Sequence, residues 1–220
     1  MKWRLVSISV LLVLMAAVVP AMASTITYNL TVDHCTGGCN PGAPGTSMGT
    51  VSLNDFNGTG DVLVTVSLVS PLMFVNTGLQ NTIDFNLGSI GSGVTATSFS
   101  QPHFSLASGT ADSYHFDGFG DFQYSIIMDT NQGAGGSEPS PLSFHVLATG
   151  LTVGSFTANA SGYHFGVDVY NPTLNSTGPI ADGGTISTPE PSSLMTMGFG
   201  LLLLSLAGPK FAGKVAQKVR

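Results

Sequence analysis

Apolar and polar residues alternate through most of the middle of this chain. Ile26, Tyr28, Leu30 and Val32 fall on one side of an extended segment, with Thr and Asn between them. Val62, Val64, Val66 and Leu68 repeat the pattern, as do Phe122, Tyr124, Ile126 and Met128. Leu142, Phe144, Val146 and Ala148 follow, and then Phe165, Val167 and Val169. A period of two places one face of each segment in a core and the other toward water, which predicts half-buried strands. Weaker strand signals lie at 50–53, 82–87, 94–99 and 151–157. Turn-forming stretches such as NGTGD, SGTAD, DGFGD and NQGAGG separate the segments. No sustained helical period occurs between the two ends. The expected fold is all-β, an antiparallel β-sandwich of jelly-roll type over 24–170. Residues 171–188 are rich in Pro, Gly, Ser and Thr and read as a flexible linker.

The two ends break the alternation. Lys2 and Arg4 precede a nearly unbroken apolar run from Leu5 to Val19, and Ala21-Met22-Ala23 supplies small residues two apart before Ser24. These are the three parts of a secretory signal peptide over 1–23, cleaved by signal peptidase between Ala23 and Ser24. At the other end, Pro189-Glu190-Pro191 is followed by an uncharged, largely apolar stretch over 192–208. As a helix it is short for a bilayer, which needs about 20 residues, but Lys210 can reach the interface while its stem stays in lipid. Lys210, Lys214, Lys218 and Arg220 then form a basic tail over 210–220, which the positive-inside rule keeps cytoplasmic. The segment between the two apolar runs therefore lies outside. A signal helix and a C-terminal transmembrane helix thus flank the expected sandwich.

Taken in order, the signal peptide, the Pro-Glu-Pro tripeptide, the short apolar helix and the basic end resemble the PEP-CTERM proteins. The resemblance covers the signal peptide and 189–220, not the middle. It implies export in a bacterium that makes exopolysaccharide. It also implies recognition of Pro189, Glu190 and Pro191 by an exosortase in the inner membrane, with release to the cell surface or matrix. Thr188 stands where the family often has Val, and the tail is Lys-rich where an Arg cluster is usual. The motif suits such recognition physically: two prolines fix φ and remove N–H donors, so the segment stays stiff and extended.

Charge is partitioned. All six Lys and Arg residues lie in the signal peptide or the tail. Residues 24–188 contain none, but carry eleven acids, so the exported part is near −11. Nothing there can neutralise phosphates, which excludes nucleic acid as a partner. A soluble acidic surface follows.

Candidate chemistry is sparse. Cys35 and Cys39, in HCTGGCNPG, predict a disulfide outside the cytosol, with Gly37 and Gly38 for the turn. A metal set from His34, Cys35 and Cys39 is the alternative. His115 and His164 each sit between aromatics, as outward residues of strands. Asp117 and Asp121, in DGFGD, are candidate calcium ligands, and the same sequence is what a hairpin turn looks like. No HExxH motif occurs. The function expected is that of an exported, exosortase-processed structural protein of the surface or matrix, without catalysis and without a cofactor unless calcium. A carbohydrate-binding module, with or without calcium and directed at exopolysaccharide, is the alternative, and a secreted hydrolase comes third.

Overall fold

A computed structural model describes residues 25–55, 60–78, 81–88, 90, 93–107 and 114–187, with side chains to 184. The expected signal helix with Ala21, Ala23 and Ser24, the Pro189-Glu190-Pro191 motif, the span at 192–208 and the basic tail lie outside these residues. Among the described residues no helix is long and apolar enough to cross a membrane.

The chain begins with β1 (Thr25–Asp33), β2 (Gly49–Asp55), β3 (Asp61–Leu68), the two-residue β4 (Met73–Phe74) and β5 (Asn81–Leu87). Short strands β6 (Thr95–Thr97) and β7 (Phe104–Ala107) follow, then a hairpin of β8 (Tyr114–Phe116) and β9 (Gly120–Phe122). The last group is β10 (Tyr124–Met128), β11 (Leu142–Leu147), β12 (Phe156–Thr157), β13 (Phe165–Asn171) and β14 (Ser176–Ser187). Every ladder is antiparallel, as the alternation predicts.

One sheet runs in the order β6-β11-β3-β2-β1-β14-β13-β5-β10-β7, with β12 added to β5 and β4 to β13. Its end strands β6 and β7 approach one another, so the sheet nearly closes like a barrel. The expected pair of separate sheets is not what the ladders form. Long twisted sheets curl, and near-closure leaves little open edge.

The alternating positions fill one core. Val62, Val64 and Val66 of β3, Leu142, Phe144 and Val146 of β11, and Phe165, Val167 and Val169 of β13 are all buried. Each such side chain contributes about 1.5–3 kcal/mol. Phe85 anchors one end of this core, its ring 5.6 Å from Tyr124 and Phe156 and 6.2 Å from Phe165.

Three local expectations are corrected. Residues 176–187 are not part of a flexible linker: they form β14, paired on one side with β1 and on the other with β13. Pro179 and the glycines disguised it. The strand tolerates Pro179 because its carbonyl accepts the His34 N–H, just past the end of β1. In an antiparallel strand a residue's N–H points to the same side as its carbonyl, so the N–H that proline lacks falls where the β1 ladder has stopped. Phe122 does not share a strand with Ile126 and Met128. The chain breaks at Gln123, whose N–H donates to Asn86 Oδ1 at 2.6 Å. Residues 151–157 form a 3-10 turn over Val153–Ser155, capped reciprocally by Thr152 and Ser155, and only two residues of strand.

A second layer covers part of the sheet from outside. Phe116, Phe119 and Phe122 of the β8–β9 hairpin pack with Ala181, Val32 and Tyr163 in a small separate cluster. Gly166 makes this possible, since a Cβ there would stand 2.5 Å from the Phe116 ring. The hairpin explains why β5 and β13 are buried at nearly every position rather than at alternate ones.

Candidate functional site

Beneath that hairpin the outward positions of three adjacent strands come together. On β5, Ile83 and Phe85 point into the core, so Asp84 points out. On β13, Val167 and Val169 point in, so Asp168 points out. The register pairs Asp84 with Gly166 and, on its other side, with Ser125 of β10. Asp168 is two residues beyond Gly166, so it stands diagonally next to Asp84 on the same face, within reach of a side-chain interaction. Without the hairpin this face would be wet. With it, Asp84 is 0 % exposed, Ser125 0 % and Asp168 3 %.

Their hydrogen bonds are incomplete. Asp168 Oδ2 accepts from the Thr77 hydroxyl and from the Thr77 N–H at 3.2 Å. Asp84 Oδ2 accepts from Asn81 Nδ2 at 3.3 Å. The same amide donates to the His115 carbonyl at 3.4 Å and so ties the hairpin to β5. Asp84 Oδ1, Asp168 Oδ1 and Ser125 Oγ have no hydrogen-bond partner. Among the described residues only Gln101 Oε1 joins them as a buried side-chain oxygen or nitrogen in that state. The Ser125 hydroxyl lies close enough to Asp84 to be the strongest pull against its desolvation, yet outside hydrogen-bond geometry.

Burial with few donors raises both carboxyls. Desolvation pushes Asp84 well above the usual carboxylate range, and the Asp168 charge adds to this. Desolvation also lifts Asp168, to about 7, against the opposing pull of the two Thr77 donors. Tyr114 of the hairpin is raised too, by burial first and then by the charge of Asp84. A cavity of about 300 Å³ opens from Asp168 toward solvent, lined also by Thr77, Asn81, His34, His115 and Asp117.

Of the residues singled out in the sequence, His34, His115 and Asp117 line this cavity, and the others fall elsewhere. Cys35 and Cys39 are joined by a disulfide, with Cα atoms 5.6 Å apart. Asp33 organises that loop, accepting the N–H groups of Cys35, Cys39 and Asn40 at 2.8–2.9 Å. Asp33, Cys35 and Cys39 are the one set of three His, Cys, Asp or Glu side chains close enough to share a metal among the described residues. The disulfide consumes both thiols, and the His34 ring packs against Phe119 at 5.8 Å instead of joining a metal set. DGFGD is the turn of the β8–β9 hairpin. Asp121 stands opposite His115 and pairs with its Nδ1 at 2.6 Å, while Asp117 is exposed at the mouth of the cavity. Three further histidines pair with acids through Nδ1: His103 with Asp129, His145 with Asp61 and His164 with Asp182.

Asp84, Asp168 and Ser125 were not singled out by the sequence reading. In TIDFNL and GVDVY each Asp alternates with apolar residues, which reads as a solvated outer face. The one signal available was Gly166, because a glycine inside a strand marks a close approach by another segment.

Chemically, the cluster offers hard oxygen atoms and no fixed cation, since no Lys or Arg lies between residues 24 and 188. No protein-family model, curated protein or solved structure matches this chain.

Proposed function

We propose that this chain is an exported domain, sorted by an exosortase at Pro189-Glu190-Pro191 and delivered to the cell surface or the exopolysaccharide matrix. Its role there is structural and non-catalytic. The observation that carries this reading is the ordered C-terminal sequence: the motif, the apolar stretch and Lys210, Lys214, Lys218 and Arg220, matched by the signal peptide at the other end. Two features of the domain support it. The Cys35–Cys39 disulfide suits an oxidising compartment. Strand β14 runs to Ser187, so only Thr188 separates a sheet-paired strand from the motif. A flattened, sandwich-like cross-section belongs to the same proposal. It would set β2 opposite the turn at Val153–Ser155, and these two segments touch.

Carbohydrate binding is the second reading. It is favoured by the cavity beneath the hairpin, where polar groups of His34, Asp117 and Asp168 converge. An exposed aromatic platform does not contribute, since among the described residues the large exposed apolar side chains are Val69 and Leu174.

Intact mass and fractionation from exosortase-positive and exosortase-null cells test the sorting reading. Loss of the segment after the motif in the positive cells alone is the expected result. A full-length, membrane-held chain in both would reduce the C-terminus to a plain tail anchor and remove the matrix role.

A further inference from the structure

We propose that Asp84, Asp168 and Ser125 form a buried binding site for a hard divalent cation, calcium by its chemistry, under the β8–β9 hairpin. The proposal is independent of the sorting reading.

Convergence is the first argument. Asp84 Oδ1, Ser125 Oγ and Asp168 Oδ1 are three of the four partnerless buried side-chain oxygens among the described residues, and they lie on three neighbouring strands, Ser125 opposite Asp84 and Asp168 diagonal to it. Native interiors satisfy nearly all such groups, so three together point to something that satisfies them. The second argument is ligand type. The group presents two carboxylate oxygens and a hydroxyl, with no nitrogen or sulfur, which is the preference of calcium rather than zinc. Calcium takes six to eight oxygens. The cavity of about 300 Å³ at Asp168 has room for waters to complete the shell, and the Thr77 hydroxyl and Asn81 side chain stand at its wall.

Charge is the third argument. Two carboxyls in one buried place must either hold protons or meet an opposite charge, and a cation competes with those protons. The basic side chains near them are histidines: His115, whose Nδ1 is engaged by Asp121, and His34, whose ring lies against Phe119. Neither makes a hydrogen bond to Asp84 or Asp168 among those the carboxylates accept. A divalent ion balances the two acids. Asp117 at the mouth adds a negative charge that would draw the ion in.

The site differs from the surface pair Asp117 and Asp121, where a turn sequence alone suggested calcium. The two locations can be separated by mutation. The full chain, purified in detergent and stripped of metal with EDTA, is titrated with calcium chloride to 10 mM at pH 7.5, with heat of binding and thermal unfolding as readouts. Extracellular modules bind calcium with dissociation constants of about 0.1–1 mM. At the tight end of that range the unfolding midpoint rises by about 5–10 °C. One ion per chain and a midpoint shift that is lost in Asp168→Asn and in Asp84→Asn, but kept in the double variant Asp117→Asn/Asp121→Asn, is the expected result. No shift in the unmutated chain at 10 mM overturns the site without reference to any variant. A shift that survives both buried substitutions, or that only the surface variant abolishes, overturns it equally.

Discussion

Two pairs of acids in this domain are built in opposite ways. Asp33 and Asp182 are surrounded by backbone donors. Asp182 is fully buried, yet it accepts the N–H groups of His164, Phe165 and Gly184 at 2.7–3.3 Å and the His164 ring at 3.1 Å. Asp33 accepts three N–H groups of the disulfide loop. Asp84 and Asp168 are as deeply buried as Asp182, and each leaves one oxygen empty. In a domain without Lys or Arg, backbone N–H groups are the main donors a buried carboxylate can find. They are plentiful where a strand begins or a loop turns, as at the start of β13 facing Asp182 and in the loop around Asp33. They are scarce in mid-sheet, where the ladder has already used most of them: Asp168 accepts one, from Thr77, and Asp84 accepts from the Asn81 side chain instead. An acid buried in mid-sheet is therefore the place to look for an external partner.

The largest effect should come from the saturated pair. Asp182→Ala strands three backbone donors in a buried setting. It should lower stability by about 3–5 kcal/mol in urea unfolding, whether or not calcium is present. A loss below about 1 kcal/mol would show that these bonds do not hold β14 in place.

The empty-oxygen pair should behave the other way. In EDTA, the folded protein keeps a proton on Asp168 up to about pH 7, whereas an unfolded Asp releases its proton near 3.8. Between those values the native state binds more protons, so stability falls as pH rises from about 4 to 7. Asp84, raised in the same direction, extends the fall upward. Asp168→Asn should flatten this slope and at pH 8 stabilise the metal-free protein by about 2–4 kcal/mol. A slope unchanged by the substitution would remove Asp168 from the account.

The cover over the pair can be tested by itself. Gly166→Leu pushes against Phe116 and should cost about 1–3 kcal/mol. It should also raise amide exchange in the β8–β9 hairpin, with the core strands β3 and β11 unaffected. Uniform exchange changes would mean that the hairpin is not a separate layer. The smallest effect is expected at the disulfide. Replacing Cys35 and Cys39 by Ser should cost about 2 kcal/mol or less, because the closed loop is short and Asp33 still holds its three N–H groups.

Much of the strand pattern was legible because burial on one face leaves a period of two, as in β3 and β11. What was not legible depended on segments distant in sequence. The residues of β14 look like coil by composition, and they become a strand because β1 and β13 hold them from both sides. A single curled sheet and a pair of sheets share the same alternation, so the choice between them rests on register and closure. The disulfide could be read from the spacing of Cys35 and Cys39. The carboxylate pair could not, since its burial comes from a hairpin about 30 residues away from Asp84, laid over a face that Asp84 and Asp168 would otherwise share with water.

The most direct measurement is a carbon-13 NMR titration of the aspartate carboxyl groups in the metal-free full chain, repeated with calcium. Two carboxyls titrating near or above neutrality without calcium, and shifting together when it is added, is the result predicted for Asp84 and Asp168. If every aspartate titrates below about pH 5 and none responds to calcium, the hairpin does not enclose a carboxylate pair that awaits a partner.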